Sequence, residues 1–137
     1  MQRTIAIAAL VLAAPAIPAH AQSHVADAPL YQLRIYELHP QTKAAFHDRF
    51  RDHGSRIMRR HGFEIVSMWE AEEAGKPQFA YLLRWPSEAR VKSAWAAVMA
   101  DEERAGIKRE TPAEHRPIVG TIQDRTMRLT DYSPPMK

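Results

Sequence analysis

The order in which hydrophobic spacing changes along the chain is the strongest constraint on its fold. Apolar and polar residues alternate in 31–38, and further strand-like segments follow at 63–70, 78–85 and 122–132. Apolar residues instead recur every three or four positions in 42–61 and in the segment after Ser87. A period of two indicates a strand, and a period near 3.6 indicates an amphipathic helix. The sequence therefore predicts a ferredoxin-like α+β fold of order β-α-β-β-α-β, with strand order 4-1-3-2 and both helices on one face.

Local signals predict the ends of the two helices. Gly62 follows the last turn of the first helix, where a left-handed residue is common, and Phe63 is placed for the accompanying hydrophobic contact. Pro86 ends the third strand, and Ser87 is a suitable N-cap for the second helix. The charged segment 101–114 is predicted to extend this helix and then to become a loop.

The first 21 residues are typical of a secretory signal peptide. Arg3 supplies the positive charge, residues 5–14 form an uncharged apolar stretch, and Ala-His-Ala at 19–21 places small residues at the −3 and −1 positions. A membrane-spanning helix needs about 20 apolar residues, and two prolines interrupt this run sooner. We therefore expect cleavage before Gln22, a periplasmic or secreted protein, and no stable membrane anchor after cleavage.

The mature chain is predicted to comprise a flexible leader at 22–29, one domain at 30–133 and a tail at 134–137. The chain contains no cysteine, so an exported fold must be stable without disulfides, and thiolate catalysis and cysteine-ligated metals are excluded. Loss of Arg3 leaves 18 of the 19 basic residues against 16 acidic ones. The resulting charge of +2 is too small to indicate nucleic acid as a partner.

The predicted sheet carries apolar residues on both faces. The face expected under the helices holds Tyr31, Leu33, Ile35, Phe79, Tyr81, Leu83, Met127 and Leu129. The opposite face would hold Leu82 and Tyr36 with either Trp69 or the pair Val66 and Met68, and such a surface is too apolar to lie open in water. A second protomer packed sheet to sheet would cover it, which predicts a homodimer. The alternative is a monomer with a half-apolar outer face, which antiparallel sheets tolerate.

Several stretches of the chain resemble the NIPSNAP family in their order and spacing. They are LRIYEL at 33–38, FHDRF at 46–50, RHGFEIVSMW at 60–69, FAYLLRW at 79–85 and the segment from Arg90 through Trp95 to Asp101. The resemblance extends from about Tyr31 to Tyr132. It implies a ferredoxin-like protomer that forms a dimeric α/β barrel, in agreement with the argument from the sheet faces. It implies much less about activity, because the bacterial members of the family largely lack assigned chemistry.

Motifs for metal binding and nucleophilic catalysis are not found in the sequence. The histidines of the first helix are six and eight residues apart, whereas ligand pairs on a helix need a spacing of three or four. No serine lies in a Gly-x-Ser-x-Gly elbow, and the few glycines form no phosphate-binding loop. We therefore expect no metal and no cofactor.

A group of arginines on the predicted sheet is the sharper candidate for a binding site. By strand parity, Arg34, Arg84 and Arg128 would share one face, with Tyr36 and Trp69 beside them. Inside a dimeric barrel this predicted sheet cleft could bind a small anion through bidentate contacts between aromatic walls. The alternative is that these arginines form ion pairs across the dimer or extend to solvent at the barrel mouth.

Two functions from different classes follow from these observations. The favoured one is a non-catalytic protein that binds a small anionic or aromatic ligand, or a protein partner. The alternative, which rests on resemblance to the dimeric α/β-barrel type, is a cofactor-independent monooxygenase or isomerase, or a haem-handling protein. Such an enzyme would place a histidine or an acid in the cleft, whereas the histidines here are predicted on a helix, on the other side of the sheet.

Overall fold

The computed structural model describes residues 28–112 and 116–136. The elements, in chain order, are β1 (Leu30–Leu38), α1 (Lys43–Arg49), a π-helical segment (Phe50–Gly54), α2 (Ser55–Arg60), β2 (Glu64–Glu73), β3 (Lys76–Trp85), α3 (Glu88–Met99), α4 (Glu102–Glu110) and β4 (Val119–Arg128). The predicted signal peptide at 1–21 lies outside the described residues, as does most of the predicted leader.

The four strands form one antiparallel sheet in the order β2-β3-β1-β4. This confirms the predicted strand order and the ferredoxin-like α+β fold. The turn of the β2-β3 hairpin contains Ala74 and Gly75, which both have positive φ angles. Within the described part of the chain, no helix is long and apolar enough to cross a membrane.

The first predicted helix is interrupted by one wide turn. The π-helical segment Phe50–Gly54 joins α1 to α2, and a Cβ atom on Gly54 would lie only 3.2 Å from the ring of Phe50. Glycine therefore allows the ring to pack closely on the helix at this point. π-Helical turns insert an extra residue and are frequent at functional sites. Hydrophobic periodicity alone did not predict this turn.

The end of α2 has the geometry expected of its glycine. Gly62 has a φ of +80°, its N–H donates to the carbonyl of Arg59 at 3.0 Å, and the N–H of Phe63 donates to the carbonyl of Met58 at 3.1 Å. These two bonds form a Schellman motif. The predicted helix end at Gly62 is confirmed.

The second helical region is two helices and not one extended helix. The Ser87 side chain accepts from the N–H of Arg90, so the predicted N-cap of α3 is confirmed. The expected extension of this helix is wrong, because the Asp101 side chain accepts from the N–H of Arg104 at 2.9 Å and begins α4 as a new N-cap. At Asp101 the backbone is extended, with a ψ of +121°, and this separates α4 from α3.

The faces predicted for β1 and β4 are inverted. Arg34 lies opposite Tyr81 on β3, and residues directly opposite on neighbouring strands share a face. The helix side of β1 therefore carries Leu30, Gln32, Arg34, Tyr36 and Leu38, and the buried Tyr81 and Leu83 of β3 lie beside them. The opposite side, called the outer face below, carries Tyr31, Leu33, Ile35, Ala80, Leu82, Trp69 and Met127.

The core lies between the helix side of the sheet and the helices. Trp85, Tyr81, Leu38 and Leu83 are its largest fully buried side chains. Phe63, just after α2, contacts the ring of Trp85 at a centroid distance of 4.7 Å. The side chains of α1, the π-helical segment, α2 and α3 complete this layer.

Candidate functional site

A cavity of about 720 Å³ lies between the helix side of the sheet and the helices. Apolar side chains form much of its wall, and among them are Phe46, Phe50, Ile57, Met58, Trp95, Val98, Met99, Ile107, Ile118 and Ile122. Its charged lining residues are all basic: Arg34, Arg49, Arg104, Lys108 and Arg116. Among the described residues, no aspartate or glutamate lines it. This helix-side cavity combines apolar walls with an excess of positive charge.

Arg34 lies on the sheet side of the helix-side cavity, called its floor below, and is held by Trp95 and Asp124. Its guanidinium lies 4.5 Å from the centroid of the Trp95 ring, a cation–π distance. Its Nη1 forms a 2.5 Å ion pair with Asp124 on the neighbouring strand. Its Nε is buried and has no hydrogen-bond partner in the described part of the chain. Arg34 is therefore positioned by the protein but retains an unused donor.

Gln32, two residues before Arg34 on β1, forms hydrogen bonds to the side chains that surround Arg34. Its amide oxygen accepts from the indole N–H of Trp85 at 3.1 Å and from that of Trp95 at 3.0 Å. Its amide nitrogen donates to both carboxylate oxygens of Asp124, each at 3.0 Å. A buried polar side chain is tolerated when its hydrogen bonds are satisfied. Gln32 therefore links the aromatic wall to the carboxylate that positions Arg34.

Two tyrosine hydroxyls meet beside Arg34. The hydroxyl oxygens of Tyr36 and Tyr81 are 2.8 Å apart, and Arg34 Nη2 donates to the Tyr36 oxygen at 3.5 Å. Tyr36 lines the helix-side cavity, whereas Tyr81 lies behind it and is fully buried. Burial raises the pKa of Tyr81, and its hydroxyl therefore remains protonated.

Arg49 and Arg104 bring two like charges into the same cavity from different helices. Burial, and then the positive charge of Arg104, lower the pKa of Arg49. Arg49 Nη1 donates to the hydroxyl of Thr111 at 3.2 Å. Within residues 28–112 and 116–136, neither arginine forms a salt bridge with a carboxylate. Their charge is therefore not compensated by the described protein.

His53, in the π-helical segment, also lines the cavity. Its Nδ1 is buried without a hydrogen-bond partner among the described residues. Across residues 28–112 and 116–136, no group of three or more histidine, aspartate or glutamate side chains could hold a metal ion. His53 is therefore an isolated polar group that a ligand could contact.

The five residues of the predicted sheet cleft do not lie together. Arg34 and Tyr36 both line the helix-side cavity. Arg84 and Trp69 lie on the outer face, opposite Tyr31 and Ala80 respectively, so the prediction that Arg34 and Arg84 share a face is wrong. Arg128 lies opposite Leu30 on the helix side, where it donates to Glu88 at 3.2 Å, and it does not line the cavity.

Sequence reasoning did not identify the residues that the helices contribute to this cavity. These are Arg49, His53, Trp95 and Arg104. The spacing of four between Arg49 and His53 is a signal that could have placed both on one helix side. The sequence predicts the cleft on the other side of the sheet, where residues of the helices could not contribute.

Comparison with known proteins gives one family match and several similar structures. The NIPSNAP family model matches residues 31–134. None of the curated proteins compared with the chain matches it. A NIPSNAP family protein of unknown function from Agrobacterium tumefaciens is 20% identical with a TM-score of 0.68, over 80% of this chain and 96% of that one.

Two further structures extend the comparison. An uncharacterised NIPSNAP-like protein from Burkholderia xenovorans is 19% identical, with a TM-score of 0.67, and the match covers 81% of this chain and 93% of that one. A monooxygenase from Streptomyces coelicolor, in complex with nanaomycin D, is 13% identical with a TM-score of 0.50, over 85% of this chain and all of the other. At such identities the likeness shows a common α+β fold. Because the family model spans most of its length, the chain belongs to the NIPSNAP family.

Proposed function

We propose that this protein is exported and binds a small organic anion with an aromatic or similarly apolar body in the helix-side cavity. The charge of Arg49 and Arg104, which no carboxylate of the described residues compensates, is the observation that carries this proposal. Partly buried cations without a counter-charge are costly, and a ligand carboxylate would relieve that cost through charge-assisted hydrogen bonds. The apolar walls would take the remainder of the ligand.

The size of the cavity supports a small molecule as the ligand. A volume of about 720 Å³ is within the range of about 300–1,000 Å³ typical of small-molecule sites. The rings of Trp95 and Phe50 are among its lining residues. These features favour a small ligand over the protein partner that the sequence left open.

A matched pair of probes tests the proposal. We expect 2-naphthoate to bind, and the neutral amide 2-naphthamide to bind at least tenfold more weakly in isothermal titration calorimetry, because only the acid pairs with the arginines. Arg104→Gln should remove this preference. Arg109→Gln, on the exposed side of the same helix, is the control and should retain it. Equal binding of both probes to the wild-type protein, or binding of neither, would contradict the proposal.

A homodimer formed through the outer face is part of the proposed function. Leu33 and Leu82 are only half-buried on this face, and the Trp69 side chain is 48% exposed. A second copy of the sheet would remove these surfaces from water. We expect the wild-type protein to sediment as a dimer and a Leu82→Glu/Trp69→Glu variant as a monomer. Ala89→Glu, on the exposed surface of α3, is the control; dimerisation of the double variant would contradict this arrangement.

Export rests on the N-terminal sequence alone. Expression in a bacterial host with the native N-terminus should deliver to the periplasm a protein whose intact mass corresponds to cleavage before Gln22. A full-length protein confined to the cytoplasm would refute this part of the proposal.

A second candidate function is a cofactor-independent oxygenase or isomerase, or a haem-handling protein. His53 favours it, because this residue lines the cavity and its buried Nδ1 has no hydrogen-bond partner among the described residues. The expectation that the histidines would lie across the sheet from the cleft is therefore wrong for this cavity. Under this candidate, haem titration should give a Soret shift that saturates at one haem per protomer and is lost in His53→Ala but not in His47→Ala. An unchanged haem spectrum would rule out haem binding by this protein.

A further inference from the structure

The geometry around Tyr36 specifies more of the ligand than its charge. Tyr81 is fully buried. Among the described residues, its hydroxyl has one hydrogen-bond partner, the hydroxyl of Tyr36 at 2.8 Å. A guanidinium can only donate, so the Tyr36 oxygen accepts the bond from Arg34. The direction of the bond between the two tyrosines then decides where the Tyr36 proton points.

Two arrangements of that bond differ in cost. If Tyr36 donated to Tyr81, the hydroxyl hydrogen of Tyr81 would be buried without an acceptor, which costs free energy. If Tyr81 donates to Tyr36, the buried hydrogen is satisfied and the Tyr36 oxygen accepts from Tyr81 and Arg34 together. A hydroxyl oxygen can accept two bonds while donating one. The second arrangement is therefore favoured, and it leaves the Tyr36 hydrogen directed away from both neighbours.

The side chain of Tyr36 lines the helix-side cavity, so its free hydrogen faces that space. Beside it, the buried Nε of Arg34 is a second donor without a partner among the described residues. The ring of Trp95, stacked on the same guanidinium, flanks this corner. The floor of the cavity thus places the Tyr36 hydroxyl next to an aromatic surface, and it lies on the sheet, whereas Arg49 and Arg104 belong to helices.

We propose that the Tyr36 hydroxyl donates a hydrogen bond to an uncharged carbonyl oxygen of the ligand, so that the cavity selects aromatic acids that also carry a carbonyl group. This inference rests on the proposed function and adds a second contact to it. The acid group pairs with the arginines of the helices, and the carbonyl group contacts the floor. Tyr36 acts as a specificity-determining residue, and Tyr81 positions its proton.

Two acids of equal size test this selection. The probes are 6-acetyl-2-naphthoate, which carries the carbonyl group, and 6-ethyl-2-naphthoate, which lacks it. We expect the wild-type protein to bind the acetyl compound about fivefold more tightly in calorimetry, the effect of one net hydrogen bond. Tyr36→Phe should abolish the preference while still binding the ethyl compound, and the exposed Tyr132→Phe should retain it.

Tyr81→Phe distinguishes the direction of the bond. If Tyr81 is the donor, this variant keeps the preference, because the Tyr36 hydrogen already faces the cavity. A preference that exists only in Tyr81→Phe would show that Tyr36 donates to Tyr81 in the wild-type protein and would overturn the inference. Equal binding of both probes by the wild-type protein would also overturn it while leaving the proposed function intact. Binding of neither probe would overturn both.

Discussion

Arg49 and Arg104 reach one cavity from two helices, and the charge of Arg104 adds to burial in lowering the pKa of Arg49. Such a like-charge pair destabilises the free protein. The two arginines lie next to apolar walls, and the described lining of the cavity contains no carboxylate. This combination is expected of a site that binds an anion, because the ligand supplies the missing charge.

The first prediction separates the binding role of Arg104 from its effect on folding. Arg104→Gln should raise the free energy of unfolding of the ligand-free protein by roughly 0.5 kcal/mol, because the repulsion on Arg49 is removed. Urea denaturation without and with 2-naphthoate measures both effects. The variant should lose most of the stabilisation that the ligand gives the wild-type protein. A variant that is less stable without ligand would indicate that Arg104 supports the fold.

The second prediction concerns the buried amide of Gln32. Gln32→Leu should lower the free energy of unfolding by about 2–4 kcal/mol, because two indole N–H groups lose their acceptor while remaining buried. Gln78→Leu is the control, since the Gln78 amide bonds to exposed Glu73, and its effect should stay within about 0.5 kcal/mol. Equal losses in chemical denaturation would contradict the role assigned to the Gln32 network.

The third prediction compares two glycines with nearly the same backbone angle. Gly62 and Gly75 have φ angles of +80° and +76°, so alanine at either should cost about 1 kcal/mol in backbone strain. A Cβ on Gly62 would also lie 2.1 Å from Nη2 of Arg90, which donates to the carbonyl of His61, whereas nothing lies within 4 Å at Gly75.

Gly62→Ala should therefore destabilise the protein by about 1 kcal/mol more than Gly75→Ala, because the hydrogen bond from Arg90 is displaced. In an Arg90→Ala background the two alanine substitutions should cost the same. Thermal denaturation of the five variants measures this. A difference that persists without Arg90 would assign the excess cost to another contact.

The fourth prediction is a loss of stability in acid that depends on the start of α4. Hydrogen bonds from His61, the N–H of Arg104 and Arg60 hold the pKa of Asp101 well below its usual range. Hydrogen bonds from Arg56 and Arg60 lower the pKa of Glu103 to about 2. Carboxylates with lowered pKa values stabilise the folded state above their unfolded pKa, and this stabilisation is lost as the pH falls through the folded value.

The melting temperature should therefore fall between about pH 4.5, the ordinary pKa of glutamate, and about pH 2. Asp101→Asn and Glu103→Gln should each flatten this part of the profile. Glu72→Gln, at an exposed position of β2, is the control and should leave the slope unchanged. If the melting temperature falls equally steeply with pH in all variants, other ionisable groups cause the loss of stability in acid.

The order of elements could be predicted because each element carries its own local signal. Periodicity marked strands and helices, and Gly62 and Ser87 marked helix ends through backbone conformation and capping. The π-helical segment had no such signal, because it depends on the packing of the Phe50 ring against Gly54.

The faces of the sheet could not be predicted from apolar content. β1 is apolar at both parities, and the set with fewer polar residues was expected under the helices. Gln32 and Arg34 face the helices instead, because Trp85, Trp95 and Asp124 satisfy their polar groups. These partners are distant in sequence.

β2 adds a second difficulty. Its pairing with β3 shifts between Ile65 and Ser67, so Ile65 and Met68 share the helix side and Trp69 lies on the outer face. One irregular residue reverses the parity of every residue after it.

For the candidate site, the sequence indicated Arg34 and Tyr36 but placed both on the wrong side of the sheet.

The position of a bound acid tests the central claim most directly. In a crystal structure of the protein with 2-naphthoate, we expect the carboxylate within about 3 Å of a guanidinium nitrogen of Arg49 or Arg104, with the rings against Trp95 or Phe50. A cavity that contains only water at saturating 2-naphthoate, or a carboxylate that points to solvent away from both arginines, would contradict the account.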